Sequence, residues 1–166
     1  RAAEQLLGLV TLPATRESAL RALTDRVGNL EGVPAAPLVE ALQDENPRVR
    51  AQALISLGRL GKVEAAEAIL PLTVRAEGSA LPTKEPVYNQ PDTGRVIPHL
   101  AVQALVAVGG VDASLKALTG PHHDGAQWAL KSMHSPEAVS GLIKILSTQR
   151  DDERRRATLT TLVRLY

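Results

Sequence analysis

A seven-residue motif that occurs twice constrains this chain more than any other feature of its sequence. Residues 52–58 read Gln-Ala-Leu-Ile-Ser-Leu-Gly, and residues 103–109 read Gln-Ala-Leu-Val-Ala-Val-Gly. The first copy lies in a segment, 46–61, that begins with an N-cap residue and a proline and ends on a glycine, which are the marks of a complete helix. A delimited helix that recurs along a chain predicts a repeat array.

One leucine in the first helix of each repeat gives the register of the array. The aligned residues are Leu20, Leu54, Leu105, Leu130 and Leu159, which are 34, 51, 25 and 29 residues apart. The longest interval contains an insertion at 77–96, and without those 20 residues it becomes 31. Repeats of this length with two helices each bury their apolar faces only by stacking. We therefore expect an all-α, right-handed α-α superhelix, or α-solenoid, of about four helix pairs with a truncated repeat at each end.

Apolar spacing, together with start and stop signals, places the helices along the chain. Pro71 is expected to kink or shorten its helix because it removes a backbone hydrogen bond. Ser135 is expected to cap one helix, and Asp151 or Asp152 to cap the last. The predicted helices are 1–11, 13–27, 34–43, 46–61, 63–75, 97–108, 111–118, 122–133, 136–146 and 154–166.

Residues 77–96 interrupt the helical pattern, because prolines and glycines punctuate them and no apolar period survives. A long loop is expected here, inserted between two ordinary repeats of one domain that spans 1–166. It holds a varied polar set: Lys84, Glu85, Tyr88, Asn89, Asp92 and Arg95. Long loops in compact arrays are either functional or disordered. Two interpretations therefore stay open, a binding element and a passive connection that packs over the solenoid.

Composition narrows the possible functions. Hydrophobic residues make up 44% of the chain but aromatic residues only 2%, so the core must consist of aliphatic side chains. A net charge of +1 provides no overall field that would attract nucleic acid or an anionic membrane. The absence of cysteine excludes disulfides and thiolate ligands. No apolar run is as long as a membrane span.

The two ends of the chain read as interrupted repeats. The sequence begins without an initiator Met, inside a helix, and ends in a helix whose partner does not follow. We therefore expect an internal or processed piece of a longer protein, and the compartment stays unassigned.

Residues 44–54, followed by Leu57 and Gly58, resemble the short HEAT repeat, the type also found in phycobilin-lyase proteins. In that pattern Asp and Pro start the first helix, Val-Arg follows, and an Ala-Leu pair packs the core. The chain keeps the arginine of this motif as Arg16, Arg50 and Arg155, but has Ala101 and Ala126 in the middle repeats. The resemblance implies a solenoid that presents a surface, and it implies that any Asp-to-Arg ladder is interrupted at the centre. It does not imply lyase activity, since one fold hosts many functions.

A second resemblance would place the parent protein outside the cytoplasm. Residues 124–130 and 155–166 are similar to HEAT regions of large exported bacterial proteins that carry a c-type cytochrome module. The haem-attachment motif Cys-x-x-Cys-His is absent from this sequence.

Three groups of side chains are candidates for chemistry. His122, His123 and Asp124, with His134 one helix further, offer imidazole and carboxylate ligands, but neighbouring side chains on a helix diverge by roughly 100°. Helix capping is the favoured interpretation of the histidines, and His99 is expected at the surface. Trp128 is either a stacking platform or, as favoured here, core or partly buried filler. The run 151–156 is read as an ordinary charged helix start. No catalytic residue, metal site or cofactor is predicted.

The expected function is noncatalytic: a protein-interaction scaffold, or a structural spacer, that presents a concave helical surface and one inserted loop. First helices carry the arginines, whereas the second helices that line the concave side of HEAT arrays carry Glu40, Glu64, Glu67, Lys116, Glu137 and Lys144. This mixed to acidic surface argues against nucleic acid. The partner is expected to be a protein, a peptide or another domain of the same parent chain, and the candidate contact residues are Tyr88, Asp92, Arg95, Glu40, Glu67 and Lys144.

The enzyme alternative is a ligand-handling activity related to phycobilin lyases, which requires His122, His123 and Trp128 to converge with an acid in one pocket. A nucleic-acid-binding HEAT protein is the third alternative.

Overall fold

The computed structural model describes residues 2–26, 28, 30–75 and 93–165, and this part of the chain is helical without any β-strand. Short 3₁₀ segments at Ala41–Gln43, Val63–Ala65 and Leu70–Thr73 extend the second helices of two repeats. None of the helices in these ranges is long and apolar enough to cross a membrane. The α-helices are α1 (Ala2–Val10), α2 (Arg16–Thr24), α3 (Ala36–Glu40), α4 (Pro47–Leu60), α5 (Ala66–Ile69), α6 (Thr93–Ala107), α7 (Val111–Ala117), α8 (His123–Leu130), α9 (Pro136–Thr148) and α10 (Asp152–Leu165).

The helices form two layers that follow the order of the chain. The first helices of successive repeats, α2, α4, α6, α8 and α10, pack one against the next. The second helices form the other layer, in which α5 contacts α7 and α7 contacts α9. Each layer is therefore built from nearest neighbours, and the expected all-α solenoid is confirmed.

Helix α4 shows why the sequence of its segment predicts a helix so clearly. The Asn46 side chain accepts a hydrogen bond from the Arg48 backbone N–H at 3.0 Å, which satisfies one of the free donors of the first turn. Pro47 occupies the first helical position. Gly61 ends the helix in the left-handed conformation, with φ of 66°, and its N–H donates to the Leu57 carbonyl. Both ends of the helix are therefore fixed by the residues that predict them.

The aligned leucines occupy the core in four of the five repeats. Leu20, Leu54, Leu105 and Leu130 are fully buried, whereas Leu159 is 46% exposed. The difference arises because α10 packs mainly against α8 and α9, and no second helix follows it among the described residues. Position in the array, rather than the motif, therefore decides whether this leucine is covered.

The predicted helix ends are largely confirmed, with one correction. Pro71 lies in the 3₁₀ segment Leu70–Thr73, so the expected distortion of its helix is present. The Asp151 side chain accepts from the Arg154 N–H at 2.8 Å and therefore caps α10. The predicted loop at 77–96 is wrong at its end, because α6 begins at Thr93 and runs through Pro98. Pro98 is buried, and this packing offsets the backbone hydrogen bond that a proline removes inside a helix.

Candidate functional site: the second-helix surface and its pockets

Arg16 joins the end of α1, the start of α2 and the turn before α4. Arg16, at the start of α2, donates from Nε to the Val10 carbonyl at 2.8 Å and from Nη2 to the Thr11 carbonyl at 3.2 Å. Its Nη1 forms an ion pair with Asp44 Oδ2, in the turn before α4. The guanidinium therefore satisfies the open carbonyl end of α1 and holds the next repeat against it.

The surroundings of Asp44 favour its charged form. The hydrogen bond from Arg16 lowers the pKa of this carboxyl below its ordinary value, and a hydrogen bond from the Asn46 N–H to Oδ1, at 2.8 Å, lowers it further. Burial opposes these hydrogen bonds with a smaller effect, and the positive charges of Arg16 and Arg50 make smaller contributions that again lower the pKa. The carboxylate therefore stays charged in the folded protein to lower pH than in an unfolded chain.

The arginine recurs where the resemblance predicts it. Arg50 donates to the carbonyls of Asp44 and Glu45, at 2.7 and 3.0 Å, and Arg155 donates to those of Leu146 and Gln149, at 3.0 and 2.9 Å. Each guanidinium thus ties a first helix to the end of the preceding repeat. The corresponding residues of the middle repeats, Ala101 and Ala126, are fully buried. The series of arginines is therefore interrupted at the centre, as expected.

A groove opens between α1 and α3, because these neighbouring second helices make little contact with each other. Its volume is about 590 Å³. Four apolar and five polar or charged residues line it, and the Arg16–Asp44 pair is among them. Glu40, one of the predicted contact residues, stands at its rim with an exposed side chain. The lining residues are Leu7, Val10, Thr11, Arg16, Pro37, Glu40, Ala41, Gln43 and Asp44.

A smaller pocket of about 290 Å³ lies between the end of the Leu70–Thr73 segment, the start of α6 and α8. Trp128 forms part of its wall and is 36% exposed, so it is a partly buried residue rather than a core residue. Its indole lies against the His99 ring, with centroids 5.8 Å apart and planes inclined by 46°. Arg95 and Asp124 also line this pocket. Trp128 is only partly buried because neighbouring α8 positions, including Gly125 and Ala126, face the core.

The histidines do not assemble a chemical site. His123 Nε2 lies 3.1 Å from Asp124 Oδ1, on the surface, and His122 and His123 do not line the pocket that contains Trp128. His134 lines a different depression, beside Ser135 at the start of α9. Within the described residues, no three His, Asp or Glu side chains come close enough to hold a metal ion. The convergence that the enzyme alternative requires is therefore not seen in this part of the chain.

The predicted contact residues lie at separate places on the surface. Glu40 is in the groove and Arg95 in the smaller pocket. Glu67, on α5, faces Lys116, on α7, with 3.9 Å between Oε1 and Nζ, and Lys144 is exposed on α9. Tyr88 and Asp92 lie outside the described residues. The structure therefore does not unite these side chains into one site.

The groove contains residues that the sequence does not single out as a site. Leu7 and Val10 read from the sequence as ordinary core positions, and Asp44 as a helix-start residue. One signal was present in the sequence: Arg16 occupies the arginine position of the HEAT-repeat motif, and Asp44 precedes the next helix. This pattern predicts contact between neighbouring repeats, but it does not predict the groove beside that contact.

Folding lowers the pKa of Asp44, so the loss of stability caused by Asp44→Asn should depend on pH. The pKa of Asp44 is lowered by folding, so its stabilising contribution is present above the unfolded pKa of about 3.9 and is lost as pH falls through the folded pKa. We expect the variant to have a lower urea midpoint than the wild type at neutral pH, and the two midpoints to converge as pH falls below about 4. Urea titrations followed by circular dichroism across this range provide the measurement.

Asp112→Asn is the matched control for this substitution. Asp112 is exposed in the first turn of α7, where the helix dipole contributes only about 0.3 to 1 kcal/mol, so its replacement should lower the neutral-pH midpoint less than Asp44→Asn does. A midpoint difference between Asp44→Asn and wild type that stays constant into acid would contradict the proposed role of the Arg16–Asp44 pair.

Comparison with known proteins agrees with this architecture. Residues 5–80 match the family model of HEAT repeats. Two solved structures of engineered proteins are similar over 99% of this chain. The first has 20% identity, a TM-score of 0.49 and 79% of its own chain covered, and the second has 19% identity, a TM-score of 0.51 and 47% of its own chain covered. This chain thus spans about half the length of the second protein, and at that identity the likeness concerns the fold alone.

No curated protein matches the sequence. The resemblances to phycobilin-lyase-type proteins and to cytochrome-containing exported proteins are not shown by these comparisons. Residues 5–80 are therefore similar to HEAT repeats, and the stacked helix pairs give the described part of the chain a HEAT-like solenoid fold.

Proposed function

We propose that this chain is a noncatalytic scaffold that binds a protein or peptide on its second-helix surface. HEAT repeats generally act as protein-interaction scaffolds. The observation that carries the proposal is the groove between α1 and α3, which leaves apolar side chains accessible between two rigidly joined repeats. Concave sites with an apolar lining and few polar groups are typical binding sites.

Rigidity of the walls supports this function. Arg16 connects α1, α2 and the turn before α4, and the buried Ser56 hydroxyl on α4 donates to the Leu20 carbonyl of α2 at 3.0 Å. The Thr24 hydroxyl donates to Ser56 at 2.9 Å across the same boundary. A surface held in place before binding loses less conformational entropy when a partner docks.

A structural spacer is the second candidate. Leu9 and Leu12, near the start of the array, are 40% and 51% exposed, and Leu159 and Val163, on α10, are 46% and 75% exposed. Apolar side chains exposed at both ends of a stacked array support contacts with other domains of a parent chain.

Selection of binders from a random peptide library displayed on phage tests the proposal, with the chain as bait. The test variant carries Glu40→Lys, Glu67→Lys and Lys144→Glu, three charge reversals on second helices. The control variant carries Glu45→Lys, Glu153→Lys and Arg156→Glu, which produce the same change in net charge elsewhere on exposed residues. Scaffold function predicts peptides that bind the wild type and the control variant and that bind the test variant at least about tenfold more weakly, since each lost charge contact costs several-fold in affinity.

Two results would count against the scaffold. Enrichment of peptides that bind all three proteins equally would locate binding away from the second helices. A selection that enriches no peptide would favour the spacer, whose contacts are with other domains of the parent protein.

A further inference from the structure

We infer that the groove between α1 and α3 takes a basic peptide segment in which one aliphatic side chain is flanked by Lys or Arg. This inference rests on the proposed function and adds the class of partner. It follows from the apolar floor of the groove and from the charge at its rim.

The floor of the groove is suited to one aliphatic side chain. Val10 and Ala41 are 8% and 5% exposed, and Leu7 and Pro37 are partly buried beside them. These side chains come from two different second helices, so a ligand side chain would contact both walls. Burial of such a side chain removes apolar surface from water on both partners.

The charge of the groove is negative once its internal ion pair is counted. Arg16 already donates to the Val10 and Thr11 carbonyls and is neutralised by Asp44. Glu40 makes no ion pair with any described residue, and it is the remaining charged side chain of the lining. The groove therefore offers an incoming peptide an unpaired carboxylate and no unpaired cation.

The end of helix α1 borders the groove but adds no further preference for a cation, because Arg16 already donates to the Val10 and Thr11 carbonyls. The next repeat continues the acidic surface with Glu64 and Glu67, of which Glu67 already faces Lys116. An acidic peptide would instead bring its carboxylates close to Glu40.

A nuclear magnetic resonance titration tests this inference with two synthetic peptides. Both are blocked pentapeptides with Leu at the centre; one has Lys and the other Glu on either side of it, and Gly at both ends. Methyl resonances of Leu7 and Val10 report occupation of the groove. The Lys peptide is expected to shift these resonances, and Glu40→Gln is expected to weaken its binding about fivefold, which corresponds to one exposed charge contact. Glu64→Gln removes an equally exposed carboxylate outside the lining and should leave the affinity unchanged.

The possible outcomes separate this inference from the proposed function. Equal binding of the Glu peptide, or a Glu40→Gln variant that binds the Lys peptide as well as the wild type does, would overturn the basic class of partner. The absence of shifts at Leu7 and Val10 with either peptide would overturn the groove as the site. In each case the proposed scaffold function would still hold if binding of the phage-displayed peptides depends on the second-helix charges. If their binding does not depend on these charges, both the inference and the proposed function would be wrong.

Discussion

Replacement of Leu54 by alanine is expected to lower the free energy of unfolding by about 2 to 5 kcal/mol, the range found for leucine truncations in well-packed cores. Leu54 is fully buried in α4, which packs between α2 and α6 and against α3. Neighbours on several sides hold each other in place, so the structure cannot easily collapse into the cavity that the lost methyl groups leave. Urea denaturation followed by far-ultraviolet circular dichroism measures the change.

Leu159→Ala is the matched control, because Leu159 occupies the same position of the motif. Its side chain is 46% exposed on α10, so its truncation should cost less than about 1 kcal/mol. Equal losses in the two variants, or an unchanged stability of Leu54→Ala, would refute the register of the repeats.

Gly125→Ala is expected to destabilise the protein by about 1 to 3 kcal/mol or more through overpacking. A Cβ built on Gly125 would lie 1.9 Å from Thr73 Oγ1 and 2.3 Å from Thr73 Cβ, where α8 packs against the Leu70–Thr73 segment. These distances are far below van der Waals contact, and Thr73 is itself buried, so one of the two backbones must move. The better helix propensity of alanine, worth about 1 kcal/mol, does not offset this clash. Thermal unfolding measures the loss.

Gly58→Ala separates steric crowding from helix propensity. Gly58 also lies inside a first helix, α4, but the nearest atoms to its added Cβ, Ala104 Cα and Ala107 Cβ, are 3.5 Å away. This is ordinary contact, so the substitution should be neutral or should stabilise the protein by up to about 1 kcal/mol. If both variants lose or gain stability alike, the close packing of α8 on Thr73 is not the cause.

The architecture could be predicted from the sequence because residues within each repeat determine where its helices begin and end. Asn46 and Gly61 delimit α4 through backbone hydrogen bonds that depend only on nearby residues. The recurrence of Ala-Leu pairs identified four buried leucines without any knowledge of tertiary contacts. Where local signals and packing conflict, the prediction failed. The start of α6, four residues before Ile97, is the example, because burial of Pro98 outweighs the helix-breaking signal.

The candidate site could not be predicted in the same way. The groove exists because α1 and α3 diverge, and the angle between neighbouring second helices depends on the packing of all the side chains between them. Charge alone selected Glu40, Glu67 and Lys144, yet Glu67 faces Lys116 and Lys144 lies on a distant helix. Of these three residues, Glu40 lies in the lining of the groove. Identifying a site of this kind requires the relative position of two helices, which no motif within either helix specifies.

The one-sided packing of α10 has a consequence for the dynamics of the whole array. Each helix pair is stabilised mainly by its immediate neighbours, so α4, covered by α2, α3 and α6, cannot open without disrupting several interfaces. Helix α10 packs mainly against α8 and α9, and α1 mainly against α2, so fewer interfaces hold these two helices. Within the described part of the chain, brief local opening is therefore expected at α10 and α1 before α4, and the Arg16 hydrogen bonds to the end of α1 oppose this opening beside the groove.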